Sequence, residues 1–464
     1  MKSRNKLITV TALLTAIAIA GCSGVQAESP AEPTDEPTAR AQEDLGVGDG
    51  SIAECIKNVV GAEPQDKTTV RLNIITHDGA ALKAFSLRAA EISEMKESPY
   101  TYVIDQSVTP AADNATSALT AITTGGNVPD IIGLGSQFFP QLAKAAPGGL
   151  VDFTDLVAED RVSSRDSLSS VDGRLYGVES GYGLGAFYYN AKIFEELGID
   201  PSSLETWDDL IAAGEDVAPG VALNGIRDGD QGFAFYLSQR GGSIFDADGN
   251  VTIDTPEAAD VLNLMKRGSD SGVWKLFAAG DWYAPPNYAA MQNNTVIGYA
   301  NPDWFLAFFM KPNIEEQAGE WRAMNIPMFS EGGFKTALGA GHSWIVPTTG
   351  SNVDAATLLV QCGQATSEAQ VRMFLEAGYL PHNVSAFEDP QVVAYSDPFL
   401  GGQQVVKEVF AVVANDAPVS YTSTYAPFAG EILATEVSAA LSGEKTVEQA
   451  LADAQQAVET EMSK

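Results

Sequence analysis

The sequence predicts an α/β protein of mixed sheets flanked by helices, and three observations carry that expectation. Strand-like and helix-like periodicities alternate along the chain. The segment Asp130-Ile131-Ile132-Gly133-Leu134 is short and continuously apolar, as strands buried on both faces of a parallel sheet are. With 464 residues and 45% hydrophobic content, the chain can fill a substantial core shared between two domains.

Each element follows in order. From Ser23 to about Gly50 the chain is rich in Ala, Pro, Glu, Asp and Gly and nearly free of large apolar residues, so it reads as an acidic tether. Val70, Leu72, Ile74 and Ile75 mark the first strand, which stops at His77-Asp78-Gly79. A helix from Ala81 to Met95, a strand around Val103-Ile104 and a helix from Ala115 to Thr124 precede the apolar strand. Thr206 is placed to cap a helix begun by Trp207-Asp208-Asp209, with Trp207 as a packing residue. Ser243 to Ile253 reads as a hairpin turning at Asp248-Gly249, in preference to a calcium loop built on Asp246, Asp248 and Asn250. Ser367 with Gln370 and Thr446 with Gln449 have capping-box spacing, and Val447, Leu451, Ala454 and Val458 share one face of the last helix.

At the start of the chain, Lys2, Arg4 and Lys6 precede an apolar stretch from Leu7 to Ala20 that ends in Ile19-Ala20-Gly21-Cys22. This resembles a bacterial lipoprotein signal. The resemblance implies cleavage before Cys22, a diacylglycerol on its sulfur and a position on the extracytoplasmic face of the cell membrane. No later apolar run reaches the roughly 18 residues that suggest a span. Outside the cytoplasm Cys55 and Cys362 can pair, while Cys362, inside an apolar helical pattern, equally suits a buried thiol. With 61 acids against 27 bases the net charge is −34, which repels nucleic acid.

The run from Asp172 to Leu210 contains Asp172-Gly173-Arg174-Leu175-Tyr176-Gly177-Val178, Phe187-Tyr188-Tyr189-Asn190, Phe194-Glu195-Glu196-Leu197-Gly198-Ile199 and Thr206-Trp207-Asp208-Asp209-Leu210. With Val128-Pro129-Asp130, Gly378-Tyr379-Leu380-Pro381 and the stretch Gly443 to Ala454, this ordered set resembles extracellular solute-binding proteins of the sugar-binding family that serve ABC importers. The resemblance implies a two-lobed, periplasmic-binding-protein-like fold of type II with a cleft between the lobes. It divides the chain into a signal peptide (1–21), lipid anchor and tether (22–67), lobe 1 (68–178), lobe 2 (179–335), a return to lobe 1 (336–392) and C-terminal helices mainly on lobe 2 (393–464). Gly181, Gly183 and Gly185 are the expected hinge.

The function implied is capture of a carbohydrate, with an oligosaccharide favoured by the many aromatics, and its delivery to importer membrane subunits by a monomer without cofactor or metal. A sugar needs flat aromatic surface beside directional donors and acceptors. By position in the family pattern, the cleft contacts fall on His77 and Asp78, Ser136 and Gln137, and Glu179 and Tyr182. Trp304 and Trp344 are the expected stacking platforms, followed by Tyr425 and Phe428. Three readings compete: a same-fold protein for a polyamine or glycerol phosphate, a glycoside hydrolase using Asp78 and Glu179 as a carboxylate pair, and a ferric site at Tyr188-Tyr189, which fits a buried strand better.

Overall fold

The computed structural model describes residues 50–157, 168–215, 217 and 220–464. The alternation at Val70, Leu72, Ile74 and Thr76 buries one face of a strand and exposes most of the other, and the regular elements build outward from it. In chain order they are α1 (Ile52–Val60), β1 (Thr68–Thr76), α2 (Gly79–Glu94), β2 (Tyr100–Val108), α3 (Ala111–Thr124), β3 (Ile131–Gly135) and α4 (Phe139–Ala145). The strands β4 (Ser170–Val171), β5 (Arg174–Leu175), β6 (Val178–Glu179), β7 (Gly185–Asn190), β8 (Asn224–Arg227) and β9 (Trp274–Phe277) follow. The last strands are β10 (Gly298–Pro302), β11 (Trp321–Met324) and β12 (His342–Ile345).

Lobe 1 is a five-stranded sheet in the order β2-β1-β3-β12-β6. The first three strands are parallel and β12 runs against both β3 and β6, so the sheet is mixed. β3 is buried along its whole length, as its apolar run requires. Lobe 2 holds an antiparallel sheet β10-β7-β11 and a parallel pair β8-β9, tied by a bridge between Ala222 and Val296. Helices Asp230–Arg240, Pro256–Asp270, Ala426–Ser442 and Val447–Met462 pack around its core. The reciprocal cap of Thr446 and Gln449 is present, and Thr206 and Asp209 exchange hydrogen bonds at the start of Trp207–Glu215. Trp207 is buried, its indole donating to Gln239 Oε1 at 2.9 Å. Asp246 closes the hairpin turn by accepting from the backbone of Asp248 and Asn250.

The folded body starts earlier than the tether expected for residues 22–67. Ser51 caps α1, whose Ile52 and Ile56 are fully buried against lobe 1, and Ile52 N donates to the Glu368 carboxylate at 2.9 Å. Cys55 and Cys362 form a disulfide that fixes this helix to the helix Val353–Gly363. The amphipathic signal is only nine residues long and sits beside polar sequence, which hides it. Cys22 and the signal segment lie outside the described residues. The second cap also moves by one residue: Thr366, not Ser367, accepts from Ala369 N, and Gln370 instead bonds the Gln364 carbonyl.

β6 still belongs to lobe 1, and the chain crosses just after it. The crossing strand meets the returning one where Leu184 bridges Leu338 and Gly339 N donates to the Gly183 carbonyl. Of the three expected hinge glycines only Gly183 has positive φ, at 73°. Gly181 and Gly185 are required for close approach, since a Cβ would meet Tyr379 at 2.9 Å and Phe235 at 2.7 Å respectively. The return to lobe 1 is shorter than 336–392, because Leu380, Ala386, Phe387 and Val392 pack in the lobe-2 core with Tyr182 and Tyr299.

Candidate functional site

Between the lobes lies a cleft of about 610 Å³, within the range of about 300–1,000 Å³ that encloses a small ligand. Its lobe-1 wall is the turn Ser136–Phe138 at the end of β3, where the last strand residue, Gly135, gives way to a helical turn. Its lobe-2 wall comes from strand ends: Arg227 closes β8, and Asn301, Pro302 and Trp304 close β10. Tyr283 and Tyr421 add aromatic surface, and Asp230 and Glu431 add carboxylates from two helices. Ligands commonly bind at the carboxyl ends of sheet strands, and β3 and β8 place their last residues accordingly.

Several cleft-lining residues carry polar atoms without a protein partner. Gln137 Oε1, Arg227 Nε and Nη1, Asn301 Nδ2, Trp304 Nε1 and Thr422 Oγ1 are all buried without a partner among the described residues. Buried polar atoms are nearly always paired, so six of them on residues lining one cleft make this wall the candidate site. Donors outnumber acceptors among them, and Asp230 and Glu431 supply further acceptors. The Arg227 guanidinium carbon sits 5.9 Å from the Tyr283 ring centre. Tyr283 is 37% exposed, and desolvation of its hydroxyl in the cleft wall raises it above the usual tyrosine range, with Arg227 opposing. Burial likewise raises the Asp230 carboxyl above its usual range, with Arg227 and backbone N–H groups pulling it back. Trp304 is half-buried at 6.3 Å from Tyr283, so the two rings frame one end of the cleft.

Of the expected contacts, Ser136, Gln137 and Trp304 line this cleft. The others do not, and each is engaged elsewhere. Trp344 is fully buried in the lobe-1 core, stacked on Phe85 at 4.6 Å, because it lies on β12, an interior strand of the sheet. Asp78 caps α2 through Ala80 and Ala81 N–H, and its other oxygen accepts from the Tyr379 hydroxyl. Burial raises its carboxyl above the usual range. His77 packs edge-on against His342 at 5.1 Å. Burial lowers its imidazole, with Asp78 opposing. Glu179 is buried and accepts from the hydroxyls of Ser136, Ser169 and Ser343. Asp78 and Glu179 are thus structural carboxylates outside the cleft, which removes the pair that a hydrolase reading needs.

Tyr182 is fully buried and donates to the Ala414 carbonyl at 2.7 Å. Tyr425 precedes the helix Ala426–Ser442 with Lys144 over its ring, and Phe428 rests half-buried on the lobe-2 core. Tyr188 is likewise a core residue, and no group of three or more His, Cys, Asp or Glu side chains disposed to hold a metal occurs among the described residues.

Arg227, Asp230 and Glu431 line the cleft but were not among the contacts expected from the sequence. For Arg227 a signal was present: Val221-Ala222-Leu223-Asn224-Gly225-Ile226 is a short, mainly apolar run ending at Arg227-Asp228-Gly229, the same strand-end grammar seen at His77-Asp78-Gly79.

A family model described as bacterial extracellular solute-binding protein matches residues 96–398. An arabinooligosaccharide-binding protein of Halalkalibacterium halodurans is 27% identical over 352 residues, 74% of this chain and 79% of the relative. A protein of the same description from Bacillus subtilis is 23% identical over 349 residues, 73% of this chain and 80% of the relative. Among solved structures, the GacH receptor of Streptomyces glaucescens, studied with acarbose, superimposes with a TM-score of 0.69 at 19% identity, covering 84% of this chain and 98% of that one. That likeness establishes the two-lobed fold. With a match across well over half its length, this chain belongs to the bacterial extracellular solute-binding protein family.

Proposed function

We propose that this protein captures a neutral oligosaccharide outside the cell and hands it to the membrane subunits of an ABC importer. The observation that carries the reading is the cluster of unpartnered polar atoms on Gln137, Arg227, Asn301, Trp304 and Thr422 beside the faces of Tyr283 and Trp304. Sugar hydroxyls donate and accept, and the C–H face of the ring covers aromatic surface. The names of the relatives make oligomers of arabinose the first candidates. Closing the lobes excludes water and strengthens each hydrogen bond, so the ligand favours the closed form. Energy for transport comes from a separate ATPase, in keeping with the lack of a Gly-Lys-Ser/Thr phosphate loop in the sequence. The Ile19-Ala20-Gly21-Cys22 motif supports tethering through lipid on Cys22.

Charge weighs against the competing solutes. Among the described residues the lining mixes one cation, Arg227, with two carboxylates, Asp230 and Glu431, whereas a polyamine site calls for carboxylates alone and a phosphate site for cations alone. A thermal-shift screen of arabino-oligosaccharides, other plant-wall oligosaccharides, spermidine and glycerol phosphate tests the reading, since a ligand of the folded form raises the melting temperature. A rise with an oligosaccharide is expected. A rise with spermidine or glycerol phosphate and none with any saccharide would sink it.

A further inference from the structure

A second chamber lies beside the main cleft. It shares Thr422 in its lining with the main cleft and has a volume of about 560 Å³, close to that of the first. Lobe 1 walls it with Lys144 on α4 and with Ser170 and Tyr176 around the β4-β5 hairpin, and lobe 2 with Gly249 and Thr424. Thr422 lines both chambers, and its buried hydroxyl has no partner among the described residues. At Gly249 the wall recedes, with nothing within 4 Å of where a Cβ would stand. At the rim the Lys144 ammonium lies 5.4 Å from the Tyr425 ring centre, a contact between α4 of lobe 1 and the start of the helix Ala426–Ser442 of lobe 2.

We infer that the second chamber is an accessory saccharide subsite, so that the ligand is a chain threaded past Thr422 with its further units between Lys144, Tyr176 and Thr424. The inference rests on the carbohydrate reading of the main cleft. One chamber has the volume of a single small-ligand site, and two side by side suit a ligand longer than one such unit. The chamber combines what a sugar uses: an aromatic ring at Tyr176, hydroxyls at Ser170 and Thr424, and a cationic donor at Lys144. Both lobes wall it, so units bound there add to the preference for the closed form. Thr422, common to both linings, offers its hydroxyl to the linkage between units in the two chambers.

Isothermal titration of the mature protein with arabinobiose and arabinopentaose, and with the matching pairs from xylan and starch, tests this. The pentasaccharide is expected to bind about tenfold or more tightly than the disaccharide. Lys144→Ala, at an exposed position, and Thr424→Trp, which fills the chamber, should each remove most of that gain. Both should leave disaccharide affinity and the ligand-free melting temperature unchanged. Equal affinity at both lengths, or a length gain that survives both variants, overturns the accessory subsite and leaves the main-cleft reading standing. Failure of every saccharide to bind removes both.

Discussion

The two walls of the cleft differ in how far their polar residues satisfy one another. On lobe 1 several polar side chains near the cleft satisfy one another: three serine hydroxyls hold Glu179, Thr76 and Ser180 hold the two ring nitrogens of His342, and Asp78 caps a helix, while Gln137 Oε1 and His77 Nδ1 are without a partner among the described residues. On lobe 2 Arg227, Asn301 and Trp304 keep buried polar atoms without partners. In the proposed site lobe 1 thus supplies a floor of mutually bonded side chains, and lobe 2 supplies most of the groups offered to a ligand. The pair Trp344 and Trp304 condenses the contrast. One is stacked in a core and the other is half-open to the cleft.

Four predictions can break or sharpen that contrast. Trp344→Ala should destabilise the ligand-free protein by about 3–5 kcal/mol in denaturant unfolding, the cost of emptying a packed aromatic site. A loss of affinity without a loss of stability would move Trp344 to the ligand side. Trp304→Ala should do the reverse, weakening oligosaccharide binding by about 2 kcal/mol, roughly thirtyfold, with a much smaller shift in ligand-free melting. Melting that falls as far as in Trp344→Ala, with binding intact, would erase the difference between the walls.

Arg227→Met should cut saccharide affinity by about tenfold while leaving ligand-free stability equal or higher, because it removes buried N–H groups that have no partner. A clear drop in stability would mean that the guanidinium serves the fold.

The smallest effect concerns His342, whose imidazole burial and the nearby His77 hold well below the usual histidine range. The unfolded chain takes up a proton below about pH 6.5 while the folded one refuses it, so stability present above that pH declines on acidification, by at most about 1.4 kcal/mol per pH unit. Asp78 and Asp230, raised by burial, act in the opposite sense, since the folded state binds their protons more readily. His342→Gln isolates the histidine: between about pH 7.5 and pH 5.5 the stability gap between variant and parent should narrow. A constant gap would show that His342 does not oppose protonation.

The floor and the ligand wall differ in how far they were legible. The family pattern led to Ser136, Gln137 and Trp304, which follow strands β3 and β10 that their apolar runs announce. It also led to His77, Asp78, Glu179 and Trp344, where residue type alone does not tell a ligand contact from a structural one. Asp78 before a helix is a cap as readily as a contact, and nothing local reveals that Ser169 and Ser343, separated by 174 residues, converge on Glu179. Arg227 was missed because β8 is only four residues long and its apolar pattern is too brief to stand out.

By itself the sequence determined the α/β class, the order of the lobe-1 strands and helices, the caps at Thr206 and Thr446, and the buried role of Trp207. These depend on periodicity and on contacts within a few residues. Tertiary structure alone decided that Cys55 reaches Cys362, that Trp344 faces a core while Trp304 faces the cleft, and that Arg227 and Gln137 confront one space from different lobes. The reason is physical: whether a polar atom is satisfied or left for a ligand depends on groups hundreds of residues away, and only the folded chain brings them within hydrogen-bonding distance.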